Sequence, residues 1–287
     1  MEKRGIHRVT VDDGVELAGH VYGKGPALVF VHGSLGDGET YWSPLARHLS
    51  DRFRCYLMDM RGTGMSGEHS DLSPQRLTRD VSAFVESIGE SVGVFGTSGG
   101  AVSTLAAAAR SEVITAAAVY EPSIFEVQTR EQAEAFEELV SRMKELADEG
   151  QLIEAAEVFN RAVLLDDEWE TIVPDYLEGS WRYIPRELRE VAQAAESDYS
   201  PTAPGVLEEI NVPLLLLTGT RGPMSAWFRE GVRYIAEHVD GARTRQLEGL
   251  GHSGPVLKQP TAVAEELRQF FERTLPRAEE SRPGAGM

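Results

Sequence analysis

At 287 residues the chain has room for one large domain with an insertion, or for two smaller ones, with a sizeable core either way. It carries 46 acidic against 28 basic residues, a formal net charge of −18, which argues against nucleic acid or an anionic membrane as partner. Cys55 is the only cysteine, which excludes an internal disulfide and a cysteine metal cluster. With no signal-like apolar segment after Met1 and no run of about 18 apolar residues, a cytoplasmic protein is expected.

In chain order, residues 6–11 and 15–22 read as a hairpin joined through Asp12-Asp13-Gly14. A strand over 27–31, a helix over 41–49 and a strand over 53–60 follow. Leu77, Val81, Phe84, Val85 and Ile88 then recur at helical spacing behind the start signal Ser73-Pro74. Residues 91–95 and 113–120 read as further strands, separated by an alanine-rich helix over 101–109. From 122 to about 210 the rhythm changes to charged amphipathic helices, such as 130–149 and 152–165, with no strand alternation. It resumes with a strand over 212–217, a helix over 226–238, a strand over 243–247 and a helix over 261–274. Alternating strands and helices of this kind predict an α/β fold with a mostly parallel sheet of about eight strands. The expected division is a core of residues 1–121 and 208–275, a helical cap of 122–207, and a disordered tail of 276–287. The segment from Pro122 to Leu207 holds 20 acidic and 7 basic residues, which reads as a solvated helical surface, with repulsion of anionic substrates as the alternative.

Gly96-Thr97-Ser98-Gly99-Gly100 stands between an apolar strand and a helix, and is the most informative stretch. Glycines on both sides of Ser98 permit a sharp turn that lifts its hydroxyl clear of the backbone. The helix beginning there points unpaired N–H groups at the spot where acyl transfer develops negative charge. A serine hydroxyl needs an oriented base. Of the seven histidines, His252 is the candidate, in the glycine-rich loop Gly249-Leu250-Gly251-His252-Ser253-Gly254 after the last predicted strand.

On these residues the chain resembles the α/β-hydrolase fold family over nearly all of 6–275. His32-Gly33 resembles the family's oxyanion-loop signature, Asp59-Met60-Arg61-Gly62-Thr63-Gly64-Met65-Ser66 its D-x-R-G-x-G-x-S segment, Gly96 to Gly100 its nucleophile turn, and Gly251-His252 its histidine loop. The resemblance implies Ser98 as nucleophile, His252 as general base and acid, and an oxyanion hole from the backbone N–H groups of Ser34 and Gly99. It also implies a cap over the carboxyl ends of the strands, and His32, Asp59 and Arg61 as braces of their loops.

The family usually places an aspartate after the next-to-last strand, but Thr218-Gly219-Thr220-Arg221-Gly222-Pro223-Met224-Ser225 holds no carboxylate. Glu230, Glu237 and Asp240 would have to reach back, and Asp59 would lie on the wrong side. Glu121, ending the strand after the nucleophile helix, is the favoured acid, a place used by a minority of the family including some lactone hydrolases; a cap-hinge role is its alternative. The order Ser98, Glu121, His252 matches the succession of the fold.

A serine at the turn implies an acyl-enzyme and no metal or organic cofactor. The expected function is hydrolysis of a carboxylic ester or lactone of a medium-sized apolar or aromatic small molecule. C–C bond hydrolysis, acyl transfer and a non-catalytic ligand-binding homologue remain open. Of the aromatics Phe125, Phe136, Phe159, Trp169, Tyr176, Trp181, Tyr183 and Tyr199 in the cap segment, Trp181 and Tyr183 belong to the densest group and are the candidate substrate-binding residues. No macromolecular partner is expected, and a homodimer is compatible with the sequence.

Overall fold

Leu28-Val29-Phe30-Val31 and Leu214-Leu215-Leu216-Leu217 offer no polar alternation, so as strands they must be covered on both faces. The computed structural model describes residues 3–170, 179–255 and 259–275. Its strands are β1 (Lys3–Thr10), β2 (Glu16–Gly23), β3 (Ala27–Val31), β4 (Arg54–Met58), β5 (Val92–Thr97), β6 (Ile114–Tyr120), β7 (Leu214–Gly219) and β8 (Arg243–Leu247). They form one eight-stranded sheet in the order β1-β2-β4-β3-β5-β6-β7-β8. The β1–β2 hairpin and the β2–β4 pair are antiparallel, and every pairing from β4 through β8 is parallel. β3, β5 and β7 are buried at every residue, whereas β8 is an exposed edge guarded by Arg243 and Arg245.

The described helices are α1 (Gly38–Ala46), α2 (Pro74–Glu86), α3 (Ser98–Ala108), α4 (Arg130–Asp148), α5 (Leu152–Val163), α6 (Asp166–Trp169), α7 (Ile184–Glu196), α8 (Pro204–Leu207), α9 (Ser225–His238) and α10 (Pro260–Thr274). α1 starts three residues before the predicted position because Asp37 caps it, accepting from Thr40 N at 2.8 Å. α2 starts where Ser73-Pro74 signals it, with the Ser73 hydroxyl accepting from Arg76 N. One sheet face packs on α2, α3 and α9 through Val29, Val94, Val81, Leu105 and Ile235. The other packs on α1 and α10 through Phe30, Phe95, Trp42, Leu267 and Phe271. This is the α/β-hydrolase arrangement.

From β3 the chain steps to β4 on one side and then to β5 on the other, so the strand order reverses between β3 and β5. Crevices at such reversals, beyond the carboxyl ends of the strands, are where open α/β sheets bind ligands. Between β6 and β7 the described residues form helices and loops only, and they cover that end. α4, α5 and α7 share a small core of Met143, Leu146, Ala155 and Ile184, into which Leu35 from the loop after β3 inserts. Polar straps tie α7 and its approach to the sheet loops. Tyr183 Oη donates to Asp37 Oδ2 at 3.2 Å and accepts from Gly64 N, Arg186 Nε donates to Arg61 O at 2.6 Å, and Gln193 Oε1 accepts from Leu72 N at 2.7 Å. Among the described residues no helix is long and apolar enough to cross a membrane. The expected tail of 276–287 and Tyr176 lie outside the described residues.

Candidate active site

Ser98 sits where β5 turns into α3, with φ at +54°, a left-handed value that a serine adopts only when its surroundings hold it there. The flanking glycines explain how the turn fits. A Cβ on Gly96 would meet Thr104 Oγ1 at 2.3 Å, and one on Gly100 would meet His32 O at 2.1 Å. The loop after β3 passes directly over the serine, since a Cβ on Gly33 would stand 3.0 Å from Ser98 Cβ. Ser98 Oγ rests 3.2 Å from Ser123 Oγ.

Glu121 directly follows β6 in a second left-handed conformation, φ +45°, and is 1% exposed. Its Oε2 lies 2.7 Å from His252 Nδ1, and its Oε1 accepts from Gly219 N at 2.9 Å. The carboxylate therefore occupies the space beside the end of β7 while its residue directly follows β6. β6 lies between β5 and β7, which puts Glu121 on the side from which the histidine loop arrives. Tyr120 Oη donates to Gly251 O at 2.7 Å and fixes that loop, while the Phe228 ring stacks on the imidazole at 4.6 Å and 1°. Of the later carboxylates, Glu230 and Glu237 pair with Arg233 on the surface of α9.

Ser98, Gly99, Ser34 and His252 all line one cavity of about 1280 Å³. Gly99 is the second residue of α3, in the turn whose N–H groups have no intrahelical acceptor, so its amide is free to meet an oxyanion. Met60 N donates to His32 Nε2 at 3.1 Å, which leaves the Nδ1 proton for Gly33 O at 2.7 Å. Burial lowers the His32 pKa to about 4, so the ring is a neutral brace. Asp59 accepts from Gly38 N at 2.7 Å and from Met65 N at 2.8 Å, and its pKa rises to about 6 through burial. Arg61 is fully buried in a two-pronged contact with Asp80, at 2.6 and 2.9 Å. Among the described residues no cluster of His, Cys, Asp and Glu could hold a metal ion.

Phe125, Phe136, Phe159 and Tyr199 line the cavity with Leu139, Val140 and Trp227, but Trp181 and Tyr183 do not. Tyr183 is one of the straps described above, because a half-buried phenol needs a partner and finds Asp37. Trp181 packs against the α4–α5–α7 core with the Arg182 guanidinium over its ring. Residues that sequence reasoning passed over are Ser123, Phe228, Tyr120 and Glu187. Ser123 had a faint signal, as a hydroxyl two places after Glu121, whereas Phe228 and Glu187 lie in ordinary helical patterns.

The chain matches a model of the alpha/beta hydrolase family over residues 28–266. Its fold is similar to that of an alpha/beta hydrolase from Sphaerobacter thermophilus, with 27% identity and a TM-score of 0.71 over 92% of this chain and 100% of that one. It is also similar in fold to the enol-lactonase from Burkholderia xenovorans, with 20% identity and a TM-score of 0.71 over 93% of this chain and 100% of that one. An 89-residue stretch is 33% identical to the pyrrolizixenacetamide deacetylase of Xenorhabdus hominickii, covering 31% of this chain and 32% of that relative, so the match spans about a third of the relative's length. By the family match over most of its length, the chain belongs to the alpha/beta hydrolase family.

Proposed function

We propose that the protein cleaves a carboxylic ester or lactone of a medium-sized, largely apolar small molecule, with Ser98 as nucleophile. The contact of Glu121 Oε2 with His252 Nδ1, at the mouth that Ser98 lines, carries this reading. With Nδ1 donating to the carboxylate, Nε2 is the basic nitrogen. It takes the Ser98 proton as Oγ adds to the carbonyl carbon, and the amides of Gly99 and Ser34 receive the oxyanion. Collapse expels the alcohol, protonated by the imidazolium, and leaves an acyl-enzyme. His252 then deprotonates a water that attacks the acyl carbon, and the acid departs as Ser98 regains its proton. Glu121, through its contact with Nδ1, stabilises the imidazolium.

The apolar lining supports an apolar acyl or alcohol group, and Glu126, Glu137 and Asp148 in the wall disfavour an anionic one. A lactonase among the similar folds and a deacetylase among the relatives support cleavage of an acyl bond. The test is a panel of p-nitrophenyl esters, lactones, thioesters and aryl acetamides, together with a fluorophosphonate. Turnover on the ester or lactone members, lost in Ser98→Ala, is expected. No turnover on any member, with Ser98 left unlabelled, would overturn the reading.

A further inference from the structure

Ser34 must present its amide to a carbonyl oxygen within a few tenths of an ångström, yet it sits on a short loop between β3 and α1. One side of that loop is held by the core, through the His32 ring on Gly33 O. The other side is held by the cap. Glu187, the fourth residue of α7, is 6% exposed, and its Oε1 accepts from Ser34 Oγ at 2.6 Å. The Leu35 N–H donates to the same carboxylate. Leu35 has φ at +55°, a conformation a leucine keeps only when over-determined, and its side chain is buried in the α4–α5–α7 core.

We propose that Glu187 is a positioning residue of the oxyanion loop: from the cap it grips the Ser34 hydroxyl and the Leu35 amide, and so aims the Ser34 N–H at the substrate's carbonyl oxygen. The inference rests on the hydrolase reading above. Burial raises the Glu187 pKa to about 7, helped by Glu190 nearby, which lessens the like charge beside a developing oxyanion. Because the grip comes from α7, the same helix that Tyr183, Arg186 and Gln193 strap to the core, a correctly seated cap and a correctly set oxyanion loop are one condition.

The test uses the full chain, with p-nitrophenyl butyrate as probe and crystal structures of the variants. Glu187→Ala is expected to lower kcat by roughly 10- to 100-fold with KM little changed, somewhat less than removal of an oxyanion donor outright. Glu187→Gln keeps an acceptor for Ser34 Oγ and is expected to recover kcat to within about threefold of the parent. The Ser34→Ala/Glu187→Ala double variant should be no slower than Glu187→Ala alone, since both changes break one link. In Glu187→Ala crystals the Gly33 to Leu35 segment should have moved. A loss confined to KM, losses that multiply in the double variant, or a loop unmoved in Glu187→Ala would each overturn the proposal. Failure of the hydrolase reading looks different: the parent protein would be inactive and unlabelled by fluorophosphonate, and the loop's position in Glu187→Ala would still decide the positioning role.

Discussion

Glu121 and His252, 131 positions apart in the chain, meet with Oε2 at 2.7 Å from Nδ1, and the second carboxylate oxygen is held by Gly219 N. The carboxylate is thus fixed by a strand end on one side and fixes an imidazole on the other.

Glu121→Gln preserves the shape and one acceptor oxygen but no longer supplies a negative charge to the imidazolium. It should lower kcat on a confirmed ester by about four orders of magnitude, as loss of a triad acid does elsewhere. Steady-state kinetics on purified variant checks this, and near-normal turnover would assign the acid elsewhere.

Phe228 lies flat against His252, with ring centroids 4.6 Å apart. Phe228→Leu keeps apolar bulk but removes the planar face. Aromatic stacking of this kind is worth about 0.5–1.5 kcal/mol, so kcat/KM should fall by roughly 2- to 10-fold. The loss should appear mainly in kcat, which separates ring positioning from substrate binding.

Arg61 and Asp80 are both fully buried and joined by two hydrogen bonds, with Arg76 Nε adding a third contact to Asp80 at 3.1 Å. Asp80→Ala removes the one fully buried carboxylate that both guanidinium groups share, leaving Arg61 with Asp13 and Arg76 with Asp12 and Asp13, and should cost about 3 kcal/mol of stability, read as a lowered midpoint in urea.

The His32 pKa is depressed to about 4 when folded, against 6.5 ordinarily. The unfolded chain therefore binds this proton more readily, so the contribution of His32 to stability is complete above pH 6.5 and is lost as the pH falls through 4. Asp59 carries the opposite sign, because its raised pKa of about 6 favours the folded state at low pH and that gain disappears as the pH rises through 6. Comparison with His32→Gln cancels the Asp59 effect. The stability advantage of the parent over the variant should shrink between pH 7 and pH 4, and a constant difference would count against a neutral brace.

Much of the sheet was legible because its apolar runs are bounded by turn residues. β8 matches the predicted 243–247, while β7 runs to Gly219, two residues past the predicted end, because Gly219 still pairs with Leu247 across the edge. The sharp turn at Ser98 and the loop carrying His252 were legible because glycines surround each of them. Glu121 came to notice only through the family resemblance, whose usual place for the acid, the loop after β7, holds no carboxylate here. Trp181 and Tyr183 stand outside the lining of the cavity that Ser98 and His252 share, because aromatic density does not reveal which side of a chain faces a cavity. Tyr183 reports a polar partner 146 positions away, which no local pattern encodes. Phe228 and Ser123 owe their places to tertiary approach: one ring on α9 reaching the histidine loop, and one hydroxyl folded back by the left-handed Glu121 onto Ser98.

The most direct test of the central claim is rapid-quench mass spectrometry during turnover of a p-nitrophenyl ester, followed by peptide mapping. The account predicts a burst of p-nitrophenol approaching one equivalent of enzyme, with the acyl mass on Ser98 and neither signal in Ser98→Ala. An acyl group mapped to the neighbouring Ser123, or turnover in Ser98→Ala at the parent rate, would contradict it.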